Sequence, residues 1–475
     1  MTVRARGELA IVLHTHLPYV EGFGTWPFGE EWLWEAMATS YLPLLAALEA
    51  RHPGGGAPLT LSITPVLADQ LEADGVPDRF RAFLRDIRTL THRLEIEGCR
   101  AAGAGELVPA LEHSARTYAR AGEQFEALGG DLMAGLAPHV SWTSAATHAI
   151  LPLLATDAGV RLQLRAGADA HRRRFGGWAG GLWLPECAHA PWIEPRLEEA
   201  GVRAACLDLT DVFGLGAPEH LRPLQSPAGP LLVPIDRATH ELAWSDAGYP
   251  RAAPYRDHHR LTTHHHRAWA NDGTPYDPEA GRARARADAA DFVARVADRL
   301  DRAAAGLGRP GLCVCAMDTE FLGHWWHEGV DWLAAVLDEA PRAGLALTAL
   351  DDALARCDPA PPPARLPATS WGDPRTLATW DGPAVAGLAW QARAAELRVV
   401  RAGPAVSLRA ARELLALQSS DWAWLAARGT AGPYPRERAQ GHAAALHRAL
   451  GSIDWPESRL RNLAPDLTLA PLLEP

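Results

Sequence analysis

The sequence predicts a parallel α/β fold, either a barrel or a doubly wound sheet, and three observations carry that expectation. Short apolar runs of strand length alternate with longer segments of helical period. No fixed-period repeat interrupts the alternation. His14, His16, His148, Glu186 and Asp318 all fall at or near the ends of the apolar runs. In a barrel of parallel strands the chemistry sits at the carboxyl ends of the strands, so this recurrence agrees with the pattern.

Residues 8–13 (ELAIVL) read as a buried parallel strand that runs into His14-Thr15-His16-Leu17-Pro18. Residues 32–50 have the apolar spacing of a helix, 59–66 form a second strand, and 67–94 are largely helical. The stretch from about 85 to 135 is rich in Ala, Glu and Arg and reads as a helical insertion. A strand end at 139–144 precedes a helix over 151–168. Strands follow at 180–184, entering Pro185-Glu186, and at 203–207. Residues 218–278 carry Pro, Gly, His and Asp with little periodicity, the length of a lid or binding loop. A helix over 282–307, a strand over 311–317 and a helix over 330–339 come next. The Pro-rich segment 358–364 is a linker, and helices are expected beyond it at 385–402, 407–417 and 436–450. This divides the chain into a catalytic part, 1–365, and a helical part, 366–475, with an active-site loop at about 218–278.

A chain of 475 residues suits one large domain with a smaller one, or a decorated barrel. Hydrophobic residues at 48% and charged residues at 22% are those of a soluble enzyme. The net charge of −11, without a basic block, argues against a nucleic-acid partner. Lys is absent and Arg carries all the positive side-chain charge. There are 18 Trp against 7 Tyr and 9 Phe, an excess of indole that suits stacking on sugar rings. The six Cys, at 99, 187, 206, 313, 315 and 357, form no CxxC pair, and Cys187, Cys206, Cys313 and Cys315, in apolar strand-like runs, read as buried free thiols. No run of about 20 apolar residues is present, and the start lacks a signal sequence, so no membrane partner and a cytoplasmic location are expected.

Two stretches carry the chemistry. Gly181-Leu182-Trp183-Leu184-Pro185-Glu186-Cys187 and Met317-Asp318-Thr319-Glu320-Phe321-Leu322-Gly323-His324-Trp325-Trp326 each set carboxylates beside tryptophans after an apolar strand. A carboxylate pair among aromatic rings is the equipment for breaking and remaking glycosidic bonds, with retention requiring the two groups about 5–5.5 Å apart. Spacing leaves the partner of Glu186 open between Asp318 and Glu320, unless a turn after Asp318 separates the two. A rival reading takes His14 and His16 as metal ligands of a hydrolase, joined by His148 and Asp318. The tracts His258-His259 and His264-His265-His266 are loop histidines without an assigned role. Trp325 and Trp326 cannot both face one side of a strand, so at least one belongs to the core; His324 is the better substrate contact.

The segments His14-Thr15-His16-Leu17-Pro18-Tyr19, Trp26-Pro27-Phe28-Gly29-Glu30-Glu31-Trp32, Thr147-His148, Trp183-Leu184-Pro185-Glu186-Cys187 and Asp318-Thr319-Glu320 with Gly323-His324-Trp325-Trp326 resemble family 57 of the glycoside hydrolases. Among its members the α-1,4-glucan branching enzymes are the most similar. Trp244-Ser245, Gly248-Tyr249-Pro250, Tyr255-Arg256-Asp257, Ser370-Trp371-Gly372 and Gln418-Ser419-Ser420-Asp421-Trp422 also fit. The resemblance spans about residues 8–450. It implies an incomplete parallel (β/α)7 barrel with a helical insertion and a C-terminal all-helical domain. It implies a retaining double displacement on an α-glucan, with no metal or other cofactor. Glu186 would be the nucleophile and Asp318, rather than Glu320, the general acid/base. His14, Trp32, His148, Trp371, Trp380 and Asp421 would line the glucan site, beside His16 and His324. An α-glucan hydrolase, a 4-α-glucanotransferase and a glucan-binding protein with little turnover are the alternatives on the same residues. The stretch 224–244, where the family carries a Tyr near a mobile loop tip, has no Tyr.

Overall fold

The structure is a computed structural model that describes residues 7–451, 460 and 462–474. The first apolar run forms β1 (Gly7–Thr15), whose residues Leu9 to Leu13 are fully buried. A strand covered on both faces reads as a continuous apolar run, which is why this element is so legible. It is followed by β2 (Thr60–Ile63), β3 (Val140–Ser144), β4 (Gly181–Trp183), β5 (Ala204–Leu207), β6 (Leu224–Gln225), β7 (Leu231–Pro234), β8 (Gly311–Asp318) and β9 (Ala346–Leu347).

These strands form one sheet in the order β6-β7-β5-β4-β3-β2-β1-β8, with β9 beside the start of β1. Every pairing is parallel except β6 with β7. Seven parallel strands therefore run from β7 round to β8. These two outer strands share no ladder among the described residues. The Asp236 N–H, just past β7, donates to the Val314 carbonyl of β8 at 2.8 Å. The Asp236 side chain, fully buried, meets Arg299 with Nε to Oδ2 at 2.7 Å. The sheet thus curls into a seven-stranded barrel whose seam is held by a backbone hydrogen bond and a buried ion pair.

Helices fill residues 76–136 between β2 and β3, the position expected for the insertion. The helix Pro278–Leu307 packs on the outside of β8 and β1. Beyond residue 377 the chain is helical, with the helices Ala386–Ala402, Leu408–Leu417, Ser420–Arg428 and Tyr434–Gly451. Their core, including Val399, Leu414 and Leu446, is continuous with Tyr19, Val66 and Leu162 of the barrel.

Three expectations are corrected. The segment 218–278 is not one irregular loop: it contains β6, β7 and the helix Arg237–Trp244. β7 is only four residues long and ends in Pro234, too short for a period to register. The helix expected from residue 151 starts at Asp157, because Leu151–Leu153 forms a tight turn and the Thr156 hydroxyl caps the Gly159 N–H at 3.0 Å. The helix Ser420–Arg428 was hidden in the sequence by its Trp and Ser content, since only its tertiary neighbours give it an inner face.

Candidate active site

The carboxyl ends of β1, β3, β4 and β8 converge on one cleft, and the C-terminal helices close it from the far side. Glu186 follows β4 in the tight turn Pro185–Cys187, where its φ is 58° and that of Cys187 is 49°. His148, after β3, also has φ 58°. Left-handed backbone at a non-glycine residue costs on the order of 1 kcal/mol or more, and clusters where a side chain must be aimed. Here it aims the Glu186 carboxylate into the cleft. Oε2 accepts from Trp371 Nε1–H at 2.9 Å and Oε1 from the Ser420 hydroxyl at 3.3 Å. His148 Nδ1 lies 3.8 Å from Oε1. Burial, opposed by the Trp371 hydrogen bond and assisted by the charge of Asp318, raises the Glu186 carboxyl to about 7.

Asp318 ends β8 in register with His14 of β1. His14 Nε2 lies 3.0 Å from His148 Nε2, so Asp318, His14, His148 and Glu186 succeed one another across the barrel mouth. No described group donates a hydrogen bond to the Asp318 carboxyl. Burial, then the charges of Glu320 and Asp421, push it well above the ordinary aspartate range. A turn does separate Glu320 from Asp318: Thr319–Phe321 leaves the strand and carries Glu320 to the Tyr41 hydroxyl at 2.5 Å and the His16 N–H at 3.1 Å. Glu320 is therefore spent on holding the end of β1, which leaves Asp318 as the carboxyl free in the cleft.

Asp421 supplies a third carboxylate. Burial opposes its ionisation, but His16 Nε2 at 3.0 Å and the Ser419 hydroxyl hold it at about 2. His16 Nδ1 meets Thr64 Oγ1 at 3.0 Å, and its ring stacks on His148 with centroids 3.9 Å apart. His14 lies flat on Trp183, centroids 4.8 Å apart. Burial, and then the neighbouring imidazoles, lower the pKa of both His14 and His148 well below the ordinary value, so both rings are neutral. Donor atoms of His16, His148 and Asp421 lie within 4.8 Å of one another. This trio differs from the ligand set of the metal reading, which began with His14. Its donors are engaged in the hydrogen bonds described.

Among the residues named as glucan contacts, Trp371 edges Trp183 at 5.0 Å beside Glu186. Trp32 stands farther out against Phe28 and Tyr434, at 5.9 and 5.6 Å. Trp380 is 2% exposed and packs under the Trp371-Gly372 turn, within a cluster of Ile150, Ala188, Val385 and Ala423. His324 sits between Thr39, His258 and Trp325, with no hydrogen bond or ring contact to the cleft residues. Of the adjacent indoles, Trp326 is 2% exposed and belongs to the core, whereas Trp325 is 51% exposed. Ser420 and Tyr41 join the site without a mark in the sequence. Ser420 lies in the segment Gln418-Ser419-Ser420-Asp421-Trp422, but nothing in its spacing marks a hydroxyl that faces a residue 234 positions away.

Residues 142–359 match glycosyl hydrolase family 57, and residues 397–465 match the C-terminal region of 1,4-alpha-glucan branching enzymes. A 1,4-alpha-glucan branching enzyme of Thermococcus kodakarensis is 30% identical, over 94% of this chain and 74% of that protein. A probable 1,4-alpha-glucan branching enzyme of Mycobacterium tuberculosis is 32% identical, over 94% of this chain and 92% of that one. The crystal structure of a family 57 branching enzyme from Pyrococcus horikoshii superposes with a TM-score of 0.90 at 30% identity, covering 99% of this chain and 97% of the other. An alpha-amylase from Thermotoga maritima shares the fold, with a TM-score of 0.83 at 22% identity over 99% of both chains. With an identity of 30% or more held over nearly the whole chain, this chain belongs to glycosyl hydrolase family 57, in the group of its 1,4-alpha-glucan branching enzymes.

Proposed function

We propose that the protein cuts an α-1,4-glucan and transfers the released segment to a 6-hydroxyl, forming α-1,6 branches by a retaining double displacement. Glu186 attacks the anomeric carbon while Asp318 protonates the departing 4-oxygen. Asp318 then takes the proton of the incoming 6-hydroxyl as that oxygen displaces the Glu186 ester. The observation that carries this reading is the contrast between the two acids. Burial and like charges favour the acid form of both, but Glu186 accepts two hydrogen bonds that favour its carboxylate, whereas Asp318 accepts none from the described residues. His14, His16, Trp32, His148, His324, Trp371, Trp380 and Asp421 are assigned to the glucan site, with Trp380 acting from beneath Trp371. Neither metal nor other cofactor has a part in these steps. The six free thiols fit a reducing, cytoplasmic setting, and among the described residues no helix is long and apolar enough to cross a membrane.

Amylose incubated with the protein and then debranched should yield short linear chains from new α-1,6 linkages. Reducing sugar released without branch points would replace this reading with hydrolysis. One feature favours that second outcome: residues 224–244 lie mostly in β6, β7 and the helix Arg237–Trp244 and contain no Tyr, so this stretch supplies little loop to shield the ester from water. Glu186→Gln should abolish both activities, because each proceeds through the same ester.

A further inference from the structure

We propose that Ser420 is the positioning residue of the nucleophile, and that its hydroxyl fixes the tautomers of His148 and His14 in one chain of hydrogen bonds. The argument rests on the assignment of Glu186 as nucleophile and on counting donors. An ionised carboxylate only accepts. Both Glu186 oxygens are held, Oε2 by the Trp371 N–H at 2.9 Å and Oε1 by Ser420 Oγ at 3.3 Å, so the one hydroxyl proton of Ser420 is committed to Glu186. His148 Nδ1 lies 2.8 Å from the same Ser420 oxygen, which has only lone pairs left to offer; Nδ1 must therefore carry the proton. A neutral His148 then has a bare Nε2, and the 3.0 Å contact with His14 Nε2 is a bond that His14 donates. His14 Nδ1 is in turn bare and accepts from the Ser62 hydroxyl at 3.3 Å, which leaves the competing contact of that hydroxyl with the Thr143 carbonyl, 3.4 Å away, without a proton.

Three features fit a built device. Ser420 is 3% exposed, so its hydroxyl has no solvent alternative. Its backbone N–H donates to the His148 carbonyl at 3.2 Å, and Ala149 bridges Ser419, so the helix start is pinned to the loop it serves. The depressed pKa values of His14 and His148 keep both rings neutral, as the chain requires. The start of the helix Ser420–Arg428 thereby reaches into the barrel and orients its nucleophile.

Ser420→Ala should lower kcat by about tenfold to a hundredfold, the scale of one hydrogen bond to a charged group, with KM for amylose changed less than threefold. Ser420→Thr keeps the hydroxyl and can turn its methyl toward the cavity of about 60 Å³ beside Ser420, so it should restore kcat to within a few-fold. In nitrogen NMR of histidine-labelled protein without substrate, recorded above pH 7 where Glu186 is ionised, His148 should be the Nδ1–H tautomer and His14 the Nε2–H tautomer. Unchanged kcat in Ser420→Ala, or His148 found as the Nε2–H tautomer, overturns the proposal even if the alanine variant is unstable, because the spectrum is read on the wild type. If Glu186→Gln is inactive while Ser420→Ala keeps full kcat, only the positioning role fails. An active Glu186→Gln removes the nucleophile assignment itself.

Discussion

Asp421 makes no hydrogen bond to Glu186 or Asp318, yet its charge is among the causes that raise both. The pH dependence follows from that arrangement. Glu186 must be ionised to attack and Asp318 protonated to donate. The charge of Asp318 also acts on Glu186, so the limbs report the coupled pair. kcat/KM should therefore rise as pH increases toward about 7, where Glu186 titrates, and its falling limb, set by Asp318, should lie well above the ordinary aspartate range. Asp421→Asn removes a negative charge that favours the acid forms, so both limbs should move to lower pH. A profile whose limbs stay in place in Asp421→Asn would show that the charge of Asp421 does not act on the two acids. His16, the hydrogen-bond partner of Asp421, stacks on His148 beside Glu186 and belongs in the same measurement.

Two elements are placed by close contacts that one substitution tests. Gly181 begins β4 with no side chain because a Cβ there would stand 2.1 Å from Nε1 of the fully buried Trp142. That indole N–H donates to Asp351 at 2.9 Å and cannot swing aside freely. Gly181→Ala should cost about 1–3 kcal/mol of stability by overpacking, read as a lower melting temperature, and should lower activity because β4 carries Glu186. The C-terminal helices dock through Glu396, which accepts from the Thr156 hydroxyl at 2.5 Å, the Ala155 N–H at 3.0 Å and Gln418 at 3.0 Å. Gln418 also binds Gln163, which holds the Thr147 hydroxyl next to His148. Glu396→Ala would strand several buried donors and should cost about 2–4 kcal/mol in denaturant unfolding, with Glu396→Gln costing less. Equal losses in the two variants would mean that charge, rather than the hydrogen-bonded shape, is what docks the helices.

The whole molecule depends on the seam between β7 and β8. With no ladder there, the fully buried Asp236 and the Arg299 that meets it stand where an eighth strand would pair. Removing one partner of a buried ion pair leaves an uncompensated charge, so Arg299→Met should destabilise by about 3–5 kcal/mol. The double variant Asp236→Asn with Arg299→Met should recover part of that loss. Additive losses in the denaturation midpoints would show that the pair does not hold the seam closed. Asp236 stood in the sequence as an acid after a short apolar run, and only the closed sheet gives it this partner.

The sequence by itself determined the elements whose periods are long or whose strands are wholly apolar. β1, β8 and the helix Pro278–Leu307 were legible because burial on two faces, or on one helical stripe, leaves a repeating mark. It also nominated Glu186, Asp318, His14, His16 and His148, since a polar group ending an apolar strand costs desolvation unless it has work or a partner. The motif resemblance implies Asp318 rather than Glu320, and the tertiary structure supplies a physical ground for it: the chain turns after Asp318 and gives Glu320 to Tyr41 and His16. Only the tertiary structure brought Trp371 and Ser420 to the two oxygens of Glu186, across 185 and 234 positions. Such partners leave no local period. A hydroxyl or an indole N–H acquires its role from the atom it faces, and the folded chain alone decides which atom that is.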